Sequence, residues 1–298
     1  MRPPIAVVGL VVAGAGACAG AERPGGNGRD DAPMSRAADV QMVAIPGGRF
    51  VAGSTVEERG AAYDAYLATA GHDTAREQHW FDNEADRHVD DLPPFRLDLM
   101  PVTNAAYAER VAAGGRPPAI DEATWRRQGL EQAFAEVERF LWRDGRPPAG
   151  REDHPVVLVT WDDATDYCAW RGRVVGDARR LPTARELEKA SRGEQGFTYP
   201  WGNTFEPDKL NSAVRGPRDT VPVGSFPAGQ SPYGVLDLAG NVFQWSSTPW
   251  PRGDGQRTVR GSAWDDFGGL GRGASWHGRP RQLRHVLIGF RCAADVPG

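Results

Sequence analysis

Thiols and lysines are scarce in this 298-residue chain. Three cysteines occur, at Cys18, Cys168 and Cys292, and the only lysines are Lys189 and Lys209. Three scattered thiols cannot build a four-cysteine zinc site. Cys168 and Cys292 could close one disulfide in an oxidising compartment, but their spacing does not say whether they meet. Positive charge is carried by arginine, a compositional bias rather than a nucleic-acid signature. The formal net charge of −4 argues against binding nucleic acid or an anionic membrane surface. No Gly-x-Ser-x-Gly elbow is present, so serine-hydrolase chemistry has no support. No apolar run is long enough to span a bilayer. The longest, residues 5–17, follows Arg2 and ends at Ala15-Gly16-Ala17 before Cys18. That order describes an export signal over residues 1–17. It resembles a lipoprotein signal with Cys18 as the lipidated first residue of the mature chain. An ordinary secretory peptide cut at the same place is the alternative, since Ala15 stands where such signals usually have leucine.

What is abundant is turn-formers and tryptophan: 37 Gly, 24 Pro and 10 Trp. This composition describes short elements and long loops around aromatic anchors, not a helical bundle. Residues 18–39 have almost no large apolar side chain and read as a tether. From residue 40 onward the pattern is that of one folded domain. Two strands flank Pro46-Gly47-Gly48. Tyr63, Tyr66 and Leu67 at helical spacing predict a helix over 57–70. A strand at 95–100 leads to a helix at 104–113 capped by Thr103. A helix is expected over 122–142 and a buried strand over 154–159. Thr160 or Asp162 caps a further helix to residue 172. Thr183 with Glu186 forms a capping box for the last one. After Ser191 nothing has helical length. The run from Tyr233 to Trp245 contains Asp237, the turn Ala239-Gly240-Asn241 and Gln244, an arrangement whose oxygens could converge on a hard cation. A plain buried hairpin is the alternative.

Several blocks occur in a telling order. They are Ile45-Pro46-Gly47-Gly48-Arg49-Phe50, Pro101-Val102-Thr103-Asn104, Trp161-Asp162-Asp163-Ala164 and Arg180-Leu181-Pro182-Thr183. Tyr199-Pro200-Trp201-Gly202-Asn203, Asp237-Leu238-Ala239-Gly240-Asn241, Arg260-Gly261-Ser262 and Gly289-Phe290-Arg291-Cys292 follow. Together they resemble the formylglycine-generating enzyme, or sulfatase-modifying factor, family over residues 40–294. The resemblance implies a single compact α+β domain over residues 40–298, distantly like C-type lectins, low in regular structure and stabilised by calcium. One calcium site would use Asp237, Gly240, Val242 and Gln244; the family's usual Trp-Glu is Phe243-Gln244 here, which removes a charge. A second would use Asn211 and Ser212, with Asp219 in a loop that looks shortened.

The resemblance implies an oxidation of a sulfatase cysteine by oxygen and copper(I), held by two thiolates shortly after the Gly-Ser block. Soft thiolates suit Cu(I). No cysteine lies between Cys168 and Cys292, so copper and formylglycine generation are not expected. The structural partners of Cys168 and Cys292 in the family are also missing, so both are expected reduced and buried, with a rearranged disulfide as the alternative. A second branch of the superfamily makes sulfoxides with iron on three histidines. His72, His79 and His88 are the candidates, and none are at helical i,i+3 or i,i+4 spacing. What remains is a cleft around Trp264, Asp265, Asp266 and His277, with Arg272, Arg279, Arg281 and Arg284 nearby. The expectation is a calcium-stabilised, exported binding module for a peptide, protein or small molecule. It touches the membrane only through its anchor. The alternatives are an oxidoreductase of the formylglycine-generating type, oxidising cysteine, and a metal-dependent enzyme with other chemistry in the same cleft.

Overall fold

A computed structural model describes residues 41–130 and 132–296; the expected signal, Cys18 and the tether lie outside them. Threonines start the long helices, as expected at Thr103, Thr160 and Thr183 and, beyond what was expected, at Thr55. Thr55 and Glu58 form a capping box at α1 (Val56–Ala70), and Gly71 ends it in the left-handed region at φ 79°. Thr103 caps α3 (Asn104–Ala112), Thr160 with Asp163 caps α6 (Trp161–Val175), and Thr183 with Glu186 caps α7 (Ala184–Arg192).

The strands at residues 42–52 do not form a hairpin. β1 (Met42–Ile45) pairs with β4 (Phe95–Asp98), whereas β2 (Gly48–Ala52) pairs with β3 (His88–Leu92). Pro46-Gly47 redirects the chain from one sheet to the other. A side chain at Gly47 would sit 2.8 Å from the Pro94 ring, and Gly48 has φ 113°. The first sheet runs β1-β4-β10-β5, with β5 at Arg179–Arg180 and β10 at Ala293–Asp295. A separate four-stranded sheet runs β8-β7-β6-β9, from Trp276–Pro280, Gln256–Arg260, Phe243–Pro249 and Ile288–Gly289. Residues 193–242 hold only two 3-10 turns, in accord with the low regular structure expected.

Two expected elements differ. The helix over 122–142 is broken into α4 (Glu122–Arg127) and α5 (Phe134–Val137), because Gly129 turns left-handed at φ 69°. Residues 156–159 are buried as expected but form no strand. Leu158 has φ 60°, and the amides of Val156 and Leu158 donate to Val102 and His285 carbonyls instead of a ladder. A short α2 (Thr74–Glu77) follows α1. The main core gathers Trp245, Phe243, Tyr107, Tyr167 and Phe290. Tyr107 stacks on Tyr167 at 5.4 Å.

Cys168 and Cys292 were expected reduced; they form a disulfide, with Cα atoms 5.6 Å apart. The absent family partners do not matter, because the α6 face carrying Cys168 lies against the chain just before β10. Both cysteines are fully buried.

Candidate functional site

The turn from Asp237 to Asn241 is built by backbone that few residues tolerate. Asp237, Gly240 and Asn241 all have positive φ, and a side chain at Gly240 would sit 2.6 Å from the Asn211 carbonyl oxygen. Asn241 fastens the turn: its Nδ2 donates to the Val221 carbonyl, and its Oδ1 accepts from the Val221 amide. The Gly240 amide donates to Ser262 Oγ at 2.8 Å. Gln244 Nε2 donates to the Asp237 carbonyl at 2.7 Å, and Gln244 Oε1 accepts from Arg291 Nε at 2.6 Å. Arg291 is fully buried. Its other N–H groups donate to the carbonyls of Asp98, Leu99, Leu236 and Asp237. The side-chain oxygen assigned to calcium thus faces a guanidinium, and Asp237 Oδ2 accepts from the Gly224 amide at 2.6 Å. Burial raises the Asp237 carboxyl and pushes Arg291 down to about 10. In this geometry the donor set around Asp237 and Gln244 does not fit a metal ion, because its cationic partner is Arg291.

The second expected set fits better. Asn211 Oδ1 is buried without a hydrogen-bond partner. A Cβ at Gly216 would stand 2.3 Å from that oxygen and 2.7 Å from the Ser212 carbonyl, so both oxygens face one place. One buried hard oxygen with an unmet need, beside a carbonyl oxygen, suits a cation such as calcium. Asp219 is not among them; it pairs with Arg151 and Arg139. Among the described residues no group of three His, Cys, Asp or Glu side chains could hold a metal. His72, His79 and His88 are apart in role as well as sequence. Their Nδ1 atoms meet Thr74, Asp82 and the Asp86 carbonyl respectively.

Two of the four residues expected at a cleft after Ser262 line one cavity. A cavity of about 380 Å³ brings together Asp266, His277 and Arg279 between the rings of Trp80 and Phe243, with Gln78 at its edge. Asp266 Oδ2 accepts from the Ala263 amide at 2.7 Å. Burial pushes this carboxyl well above the usual range, and its neighbour Asp265 adds to the rise. Asp265 is itself pushed up to about 6 by burial, and its Oδ1 has no partner. Two adjacent carboxyls in a dry place resist holding two charges. Burial drives His277 down to about 3, so the imidazole is neutral near pH 7. Its ring stands edge-on to Phe243 at 5.5 Å. A neutral imidazole, a carboxyl raised by burial and a largely desolvated guanidinium offer both donors and acceptors to a ligand. Trp264, expected at the cleft, packs instead parallel to Phe140 at 6.4 Å.

The arginine run is mostly committed inside the fold. Arg272 pairs with Glu84, Arg281 with Asp162 and Arg284 with Asp163. Arg279 alone of the four lines the cavity. Sequence reasoning missed Gln78 and Trp80, which the arm after α2 carries into the cleft. An isolated tryptophan in that charged stretch was the available signal.

Comparison with known proteins agrees with this architecture. Residues 30–296 match the sulfatase-modifying factor enzyme 1-like domain. The mouse protein named inactive C-alpha-formylglycine-generating enzyme 2 is 33% identical, over 88% of this chain and 88% of its own. A hercynine oxygenase of Mycolicibacterium smegmatis is 31% identical over 85% of this chain, which covers 64% of that protein. The solved structure of PvdO from Pseudomonas aeruginosa has the same fold, with a TM-score of 0.60, 22% identity, and coverage of 86% of this chain and 94% of that one. The α+β domain, the fastened Gly-Asn turn and these matches have one reading: the chain belongs to the sulfatase-modifying factor family.

Proposed function

We propose that this chain is a family member that does not generate formylglycine and that acts as an exported binding module. Its ligand, a peptide, protein or small molecule, would enter the cleft of Asp266, His277 and Arg279. The observation that carries this is the thiol inventory. No cysteine follows the Gly261-Ser262 block until Cys292, and Cys292 is tied to Cys168 in the core. A copper(I) site needs two thiolates at the cleft, and the chain has none to give. Incubating the purified protein with a cysteine-type sulfatase peptide, oxygen and copper should leave the peptide mass unchanged. An aldehyde mass shift would sink this reading.

Export is supported by residues 1–18 and by a disulfide that suits an oxidising compartment. A Cys18→Ala chain should leave the membrane fraction, and an unchanged distribution would count against lipidation. Calcium at Asn211 and Ser212 is part of the same reading. The second reading, a metal-dependent enzyme, draws on Asp266 and His277 meeting in one cavity and on relatives named hercynine oxygenase. Elemental analysis separates the two: calcium alone favours the module, while stoichiometric iron or copper favours the enzyme.

A further inference from the structure

Trp276 and His277 are neighbours on β8, so their side chains leave opposite faces of the strand. His277 lines the cleft; Trp276 lines a second cavity, of about 440 Å³, on the other side. That volume is within the range of small-molecule sites. Ala52, Ala184 and Ala274 come from β2, from α7 and from the segment before β8, and their small side chains leave a slot against the indole of Trp276. The ring is held in place, since its Nε1 donates to the Asn83 carbonyl at 3.0 Å.

The floor is a buried ion-pair network. Glu188 is the shared partner of two guanidiniums: Oε1 accepts from Arg192 at 2.8 Å and Oε2 from Arg260 at 2.6 Å. Arg260, only 7% exposed, lies 5.6 Å from the Trp276 ring centre, and its Nε has no hydrogen-bond partner. The N-terminal end of α7, nine residues long, adds its partial positive charge at Ala184 and Arg185. At the mouth, Asp90 is neutralised by Arg185. The walls are therefore largely apolar, and the floor offers one buried guanidinium N–H without a partner, Arg260 Nε.

We propose that this cavity binds a small aromatic carboxylate, its ring lying between Trp276 and the alanines and its carboxylate turned toward Arg260. The proposal is independent of what the cleft does. Its test is calorimetry on the full-length protein with 2-naphthoate and with the uncharged 2-naphthamide. The naphthoate should bind saturably, and the amide about tenfold more weakly, roughly the loss of one charge-assisted hydrogen bond. Ala85 is an exposed residue on the cavity rim, and Ala85→Phe should cut naphthoate affinity by about tenfold by filling the mouth. If that variant does not fold, Ala85→Met at the same place carries the same expectation. No saturable naphthoate binding, equal binding of acid and amide, or full affinity in the folded rim variant would each overturn the proposal.

Discussion

Replacing Arg291 with lysine keeps the charge and removes the fork. In the native turn all five guanidinium N–H groups are used, one on Gln244 Oε1 and four on the carbonyls of Asp98, Leu99, Leu236 and Asp237. An ammonium has three donors on a shorter reach and cannot serve two chain segments at once. The Leu99 carbonyl keeps a bond from the Leu236 amide, and the Asp237 carbonyl keeps Gln244 Nε2. Gln244 Oε1 and the Leu236 carbonyl are the acceptors most exposed to loss. Each buried acceptor left unmade costs about 1–3 kcal/mol, so the pair costs about 2–6 kcal/mol. In a domain of this size that is a fall in melting temperature on the order of 10 °C. Gln244→Ala removes one of the same bonds and should cost roughly half as much, and the double variant should cost less than the sum, because the two residues share a partner. Scanning calorimetry reads all three. An Arg291→Lys protein melting within about 3 °C of wild type would refute the claim that this guanidinium organises the turn.

The Cys168–Cys292 bond closes a loop across 124 positions. On the chain-entropy argument it stabilises the fold by about 5 kcal/mol, so the Cys168→Ala/Cys292→Ala protein should unfold at clearly lower denaturant, and a change under about 1 kcal/mol would count against it. Asp265 has its carboxyl raised to about 6 by burial, so it binds its proton more tightly folded than unfolded. Its contribution to stability is present below about pH 4 and is lost as pH rises through about 6. Asp265→Asn should flatten the fall of stability over that window, measured by denaturation at several pH values; an unaltered pH profile would show that the carboxyl is not desolvated. For calcium, chelation should lower the melting temperature of the wild type and leave Asn211→Ala unmoved. Equal sensitivity of the two proteins would place the ion elsewhere.

What was legible in the sequence was local chemistry. Thr103, Thr160 and Thr183 mark helix starts because a hydroxyl three residues before an amide satisfies it wherever the chain goes next. The order of the blocks carried the fold, and Asp266 and His277, both named from the sequence, line one cavity. Pairings set by distant segments were hidden. The Pro46-Gly47 turn looks like a hairpin until Pro94 is seen to fill the space beside it. Residues 156–159 read as a strand because they are apolar, yet their amides are met by loops. Trp80 reaches the cleft on an arm that has no counterpart in the pattern of the other blocks.

The turn around Asn241 shows how a local motif and its partner can separate. Gly240 and Asn241 hold the same backbone whatever cation lies near, because their φ values and the Ser262 and Val221 contacts are enough to fix it. The side chain at position 244 then decides only what faces the turn. With a neutral glutamine there, Arg291 supplies the positive charge from within the chain and satisfies five oxygens with one residue. Buried side-chain oxygens without partners stand at Asn211 and Ser212. At the cleft, carboxylates follow the Gly261-Ser262 block closely, and one of them, Asp266, lines the cavity. A fold this rich in turns holds its loops by backbone geometry and buried arginines, and that leaves the chemistry of the cavity free to change without loss of the frame.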